Sequence, residues 1–262
     1  YKILKMNILR YYNALKTRTF TYLNKHKGFK TDRKIIVIES DDWGSIRMPS
    51  RETYNKLLKA GLKVDQCHYC KNDSIASIED FDYLFDILLQ FKDINGRHPL
   101  ITANSVVANP DFKKIKEAGY EKYYYEPFPD TLTKYPNADF SCWEKGMELN
   151  IFHPQFHCRE HLNIFRWMDR LKKGSKEVHT AFEHDFFGIS TTISNEKNPS
   201  FMAAYDADSE TELLELKKIT EEGLSLFYDI FKFPSKSFIA PNYILPKSLE
   251  PVFKSNGIDI FQ

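Results

Sequence analysis

Ile35-Ile36-Val37-Ile38-Glu39-Ser40-Asp41-Asp42-Trp43-Gly44-Ser45 is a short apolar run, rich in β-branched residues, that stops at two adjacent carboxylates, an indole and a glycine. It reads as a buried strand whose carboxyl end delivers Asp41 and Asp42 into a loop. In parallel α/β sheets and barrels that is the end where chemistry collects. Two neighbouring carboxylates repel, so they must be solvated, divided in protonation state, or neutralised by a cation. A helix cap or turn built on Asp-Asp explains the pair equally well from this stretch alone.

Further strand-like segments follow at Pro99–Val107, Leu149–Phe152, Ser237–Ala240 and Ile258–Phe261. Helical patterns lie between them. One opens at Pro49-Ser50 and stops at Gly61; another starts at Ser77 with Asp80 and runs toward Asn95-Gly96. Others cover Asp111–Glu117, a short stretch begun by Ser141, Ser209 to about Phe231, and Pro246–Lys254. Tyr123–Pro129 is aromatic and proline-broken, which suits a functional loop, and 174–208 is polar and poorly patterned. Strands alternating with long crossovers give a parallel sheet. Too few strands are present to close a barrel, so the expected fold is α/β: a deformed, incomplete (β/α) barrel with parallel strands. It would form one domain over 31–262, preceded by an amphipathic helical segment over 1–30. Within that segment, residues 2–24 space Ile3, Leu4, Ile8, Leu9, Tyr12 and Leu15 helically among Lys and Arg. Such a helix packs on its own domain or lies peripherally on a membrane surface.

The 262 residues are 42% apolar and 28% charged, enough for a sizeable core in a soluble domain. Lys plus Arg number 37 against 36 Asp plus Glu, a balance that argues against a nucleic-acid partner. No apolar run reaches the length of roughly eighteen residues that a transmembrane helix needs. The four cysteines suit a reducing, cytoplasmic compartment, while a start at Tyr1 rather than Met also fits a removed leader or tag. Cys67-His68-Tyr69-Cys70 has the spacing of half a zinc ribbon or a redox pair. With no second CxxC and no thioredoxin-like βαβ context, it reads as structural.

More than a hundred residues after the acidic pair comes His157-Cys158-Arg159-Glu160-His161. Placed at the head of a helix, residues four apart share a face, which lets two imidazoles meet one metal ion. HxxxH is common by chance; what adds weight is that both sets follow an expected strand and so emerge on one side of a parallel sheet. At this point the chain resembles the polysaccharide deacetylases (carbohydrate esterase family four), in a divergent bacterial branch. Asp41-Asp42, His157-x-x-x-His161 and Ala240-Pro241-Asn242-Tyr243 are similar to that family's first three motifs, in order, across about 34–262.

The resemblance implies a deformed (β/α) barrel and hydrolysis of N- or O-acetyl groups on a polysaccharide or its sugar precursor. It implies a divalent metal, zinc being the expected ion, held by Asp42, His157 and His161, with Asp41 as general base. It also implies an oxyanion contact from the backbone N–H of Tyr243, beside Asn242 in the substrate cleft. Trp43 could stack on a sugar ring or plug the barrel mouth. Two departures stand out. Ala240 occupies the place of the family's base-orienting arginine, for which Arg47 or Arg159 could substitute. The family's general-acid histidine has no counterpart, and His153 is the nearest stand-in, with a structural role at a strand end the plainer alternative. These departures motivate an alternative: a carbohydrate-binding relative without turnover. A glycosidase using Asp41 and Asp42 as its carboxylate pair fits poorly, because adjacent strand residues point to opposite faces.

Overall fold

A computed structural model describes residues 16–22, 30–196 and 200–262. The chain divides into two compact units, Tyr1–Val37 and Ile38–Gln262. In the first unit, residues 16–22 are helical and exposed. The rest of the amphipathic stretch 2–24 lies outside the described residues. Among the described residues no helix is long and apolar enough to cross a membrane.

The second unit is built on a five-stranded parallel sheet of order β1-β2-β5-β6-β7. Its strands are β1 (Ile38–Trp43), β2 (Ile101–Val106), β5 (Phe152–Cys158), β6 (Ser237–Phe238) and β7 (Ile260–Phe261). A two-stranded antiparallel ribbon, β3 (Ala108–Pro110) with β4 (Tyr125–Pro127), accounts for the aromatic stretch expected to be a loop. The five-stranded sheet is wholly parallel, and the antiparallel pair stands apart from it as its own ribbon. No backbone pairing joins β7 to β1 among the described residues, yet the Gln262 side-chain amide donates to Glu39 Oε1 at 2.8 Å. The sheet curls until its two edges touch through side chains, which is the deformed, unclosed barrel.

The helices start where the sequence has oxygen-bearing caps. Ser50, Ser77 and Ser209 accept from the backbone N–H three residues on, opening helices Arg51–Lys59, Ile78–Leu89 and Glu210–Phe231. Two apolar clusters result. One packs Phe81, Phe85, Trp143, Phe152, Phe227 and Phe231 against the sheet. The other gathers Leu57, Trp167, Phe182, Phe186, Phe187 and Phe201. The poorly patterned region 174–208 thus supplies much of a core, including the helix Lys176–Phe182. Its apolar residues follow no single period because most of them lie in irregular backbone.

Three expectations about strands need correction. Ile35, Ile36 and Val37 are exposed rather than buried, because β1 is an edge strand that begins only at Ile38 and pairs with β2 alone. Nor does β1 stop at the carboxylates: Asp41 and Asp42 lie within it, where Ser40 pairs with Ala103 but Trp43 with Ser105. Three residues on β1 thus advance against two on β2, a bulge. The third strand begins at Phe152 and runs on through His157, so His153-Pro154 stands near its start rather than at its end. Pro154 is tolerated there because β5 pairs with β6 only at Phe156, leaving the proline's missing donor uncalled for on that side.

Gly44 closes the bulge with φ +84°, and a Cβ added there would lie 2.5 Å from the Val106 carbonyl oxygen. Gly44→Ala is expected to cost about 2–4 kcal/mol, read as a lowered denaturant midpoint at unchanged slope.

Candidate metal centre

The bulge aims the two carboxylates. Asp42 takes a left-handed backbone conformation (φ 67°), so adjacent residues are no longer held to opposite faces. Its Oδ1 lies 3.2 Å from His157 Nε2 and 3.3 Å from His161 Nε2, and these donor atoms all fall within 4.8 Å of one another. The two imidazole centroids are 5.3 Å apart. Their route to this meeting differs from the helical one expected. His157 is carried by β5 itself and His161 by the loop beyond, with the next helix, Ile164–Lys172, starting only afterwards. Convergence comes from a strand end folding back, not from a shared helical face.

The donor set suits a cation. His157 Nδ1 contacts the Ile239 carbonyl at 2.7 Å, which puts the ring proton on Nδ1 and leaves Nε2 as a lone pair toward Asp42. Asp42 Oδ1 is buried without a hydrogen-bond partner, and so is His161 Nδ1. A carboxylate oxygen facing an imidazole lone pair is unfavourable unless something positive lies between them. Arg47 braces the carboxylate from behind, Nη2 to Asp42 Oδ2 at 2.8 Å, and also faces Asp73 at 3.6 Å. Burial works against charge on Asp42, but its surroundings hold the carboxyl well below the usual range: Arg47 is the standing positive charge, and His157 and His161 add to it only when their rings carry a proton toward the carboxylate. Burial pulls His161 down to about 3, so its ring is neutral at physiological pH.

That shift has a signed consequence. The unfolded chain protonates His161 below its ordinary 6.5 whereas the fold resists until about 3. Stability is thus fully present above pH 6.5 and is lost as pH falls toward 3, by up to about 1.4 kcal/mol per unit. Metal-free protein is expected to melt progressively lower from pH 6.5 to 4, with His161→Gln showing a flatter slope.

Asp41 is exposed beside the triad, and its Oδ1 accepts from Asn104 Nδ2 at 2.8 Å. Asn104 was visible in the sequence near the end of the second strand, but nothing there linked it to Asp41. Its position toward the carboxyl end of β2 and its burial are the signals that single it out. Two clefts of about 570 and 330 Å³ meet at Asp41, Asp42 and Arg47. Asn242 and Tyr243 line the larger, both with φ 56°. The Tyr243 N–H already donates to the Ala240 carbonyl at 2.8 Å, so that amide is engaged within its own turn. Trp43 lines the smaller cleft while its ring packs on Phe81, Trp143 and Phe152, at 4.8 Å centroid distance for Phe152.

Two of the residues singled out in the sequence are not brought to this site. Arg159 turns away, forked on Glu160 at 2.6 and 2.8 Å, paired with Glu222 and lying over the Tyr125 ring. His153 is four residues before His157 along β5, roughly 13 Å by the rise of a strand, and stacks on Phe233.

No family model and no curated protein matches the chain. Two solved structures are similar to it. A polysaccharide deacetylase from Bacillus cereus, BC0361, aligns over 87% of this chain at 10% identity with a TM-score of 0.38. IcaB from Ammonifex degensii aligns over 86% at 8% identity with a TM-score of 0.32. The chain spans 57% of the length of BC0361 and 82% of IcaB.

Proposed function

We propose that this protein is a metal-dependent hydrolase that removes N- or O-linked acetyl groups from a polysaccharide or its sugar precursor. The observation that carries the reading is the meeting of Asp42 Oδ1, His157 Nε2 and His161 Nε2 beside a second carboxylate, Asp41, where two clefts join. One carboxylate and two imidazoles would hold a divalent ion, with zinc suited to an N₂O donor set. When bound, such an ion acidifies water and draws charge from a carbonyl oxygen.

The chain's own residues would do the rest. Arg47 holds Asp42 Oδ2 and so keeps Oδ1 turned toward the histidines. Asn104 holds Asp41 Oδ1, leaving Oδ2 to take the proton of the attacking water. Asn104 thereby supplies the base-orienting contact that Ala240 cannot. Asn242, Tyr243 and Trp43 line the clefts on either side, where flanking sugar units would lie.

Zinc-loaded protein is expected to release acetate over many turnovers from acetylated oligosaccharides, without forming new reducing ends. His153 lies far along β5 and Ala240 offers no guanidinium to the site, which favours a second reading: a relative that binds such sugars without turnover. Saturable sugar binding with no acetate from either amide- or ester-linked substrates would establish that second reading. Protein that binds neither zinc nor sugar would end both.

A further inference from the structure

The CxxC motif stands in the wall of the larger cleft. Cys67 is half-buried and lines it together with Gln66, His68 and Tyr69, while Cys70 is 1% exposed beneath. Neither is in a disulfide. Cys67 Sγ accepts the backbone N–H of Cys70 at 3.4 Å and also the Cys70 thiol. That hydrogen bond from Cys70 is the chief reason the Cys67 thiol falls from 9.0 to about 6. The same bond, with burial, drives Cys70 far upward. The pair is asymmetric: one sulfur faces the cleft with its thiol pulled down, the other is buried behind it with its thiol pushed up. Capping alone does not account for this, since a serine or aspartate oxygen caps a helix better than sulfur does.

We propose that Cys67 and Cys70 form a thiol–disulfide exchange site opening into the cleft, with a low-molecular-weight disulfide as its substrate. The Cys67 thiolate attacks one sulfur of the small disulfide, forming a mixed disulfide as the other half leaves as a thiolate. Cys70 then loses its proton and attacks Cys67 Sγ, expelling the second half. Two protein thiols and one small disulfide become one protein disulfide and two small thiols, so atoms and electrons balance. Arg47 connects this turn to the triad: it lies over the Tyr69 ring at 5.0 Å and reaches both Asp73 and Asp42. The exchange uses none of the triad residues, so it stands apart from the hydrolase reading.

The test uses the full native chain, oxidised glutathione at pH 7, thiol counting and intact mass. Native protein is expected to lose two of its four thiols, gain no adduct, release two equivalents of glutathione, and map to a Cys67–Cys70 bridge. Cys70→Ser should stop at one stable glutathione adduct. Cys67→Ser, which keeps an oxygen at the cap, should react at least about tenfold more slowly, its remaining thiols being buried. Native protein that keeps all its thiols, a Cys67→Ser variant reacting at the native rate, or a bridge elsewhere would overturn the inference.

Discussion

Replacing His157 and His161 together by alanine is expected to take bound zinc from near one equivalent per chain to below about a tenth, while the far-ultraviolet circular dichroism stays native. Both imidazoles are buried, at 2% and 5% exposure, so the variant also loses some packing. The loss sits at the end of β5 rather than in either aromatic cluster, and the sheet register that positions Asp42 does not depend on it. Asp42 would then face only Arg47, and one carboxylate already paired with a guanidinium cannot hold an ion against dialysis. Elemental analysis after dialysis reads the result directly. Zinc retained at the native level in the double variant would remove the centre from this account.

Asp41→Asn separates holding the ion from using it. Asparagine has nearly the shape of aspartate and can still accept the Asn104 amide, so the local geometry survives. What disappears is a group able to take a proton. Acetate release is expected to fall by about 10²–10⁴-fold in kcat with zinc content unchanged. Full activity in this variant would transfer the base role elsewhere, and loss of zinc along with activity would make Asp41 a ligand instead.

Much of this site was legible in the chain because the fold's logic is local at strand ends. An apolar β-branched run next to Asp41-Asp42, and the later HxxxH, each sit where a parallel sheet presents residues to one side. The backbone path was less legible. Period and spacing favoured a helix for His157 and His161, whereas Pro154 and the polar residues around it concealed a strand that runs seven residues to Cys158. Arg47 and Arg159 were equal candidates by spacing. The structure separates them, since Glu160 and Glu222 claim one and Asp42 the other.

The amino-acid order by itself determined the α/β class, the strand-and-helix alternation, the capped helix starts and the presence of an acidic pair and a spaced histidine pair after two strands, because these follow from short-range pattern and side-chain chemistry. Which carboxylate joins the histidines was implied only by the family resemblance. Tertiary structure alone decided that β1 carries a bulge with Asp42 left-handed, that Asn104 reaches Asp41, that Arg47 braces the triad, and that His153 stands a strand's length away. Each of these depends on which residue of one strand lies beside which residue of another. Register is set by the packing of whole faces, which no single segment encodes.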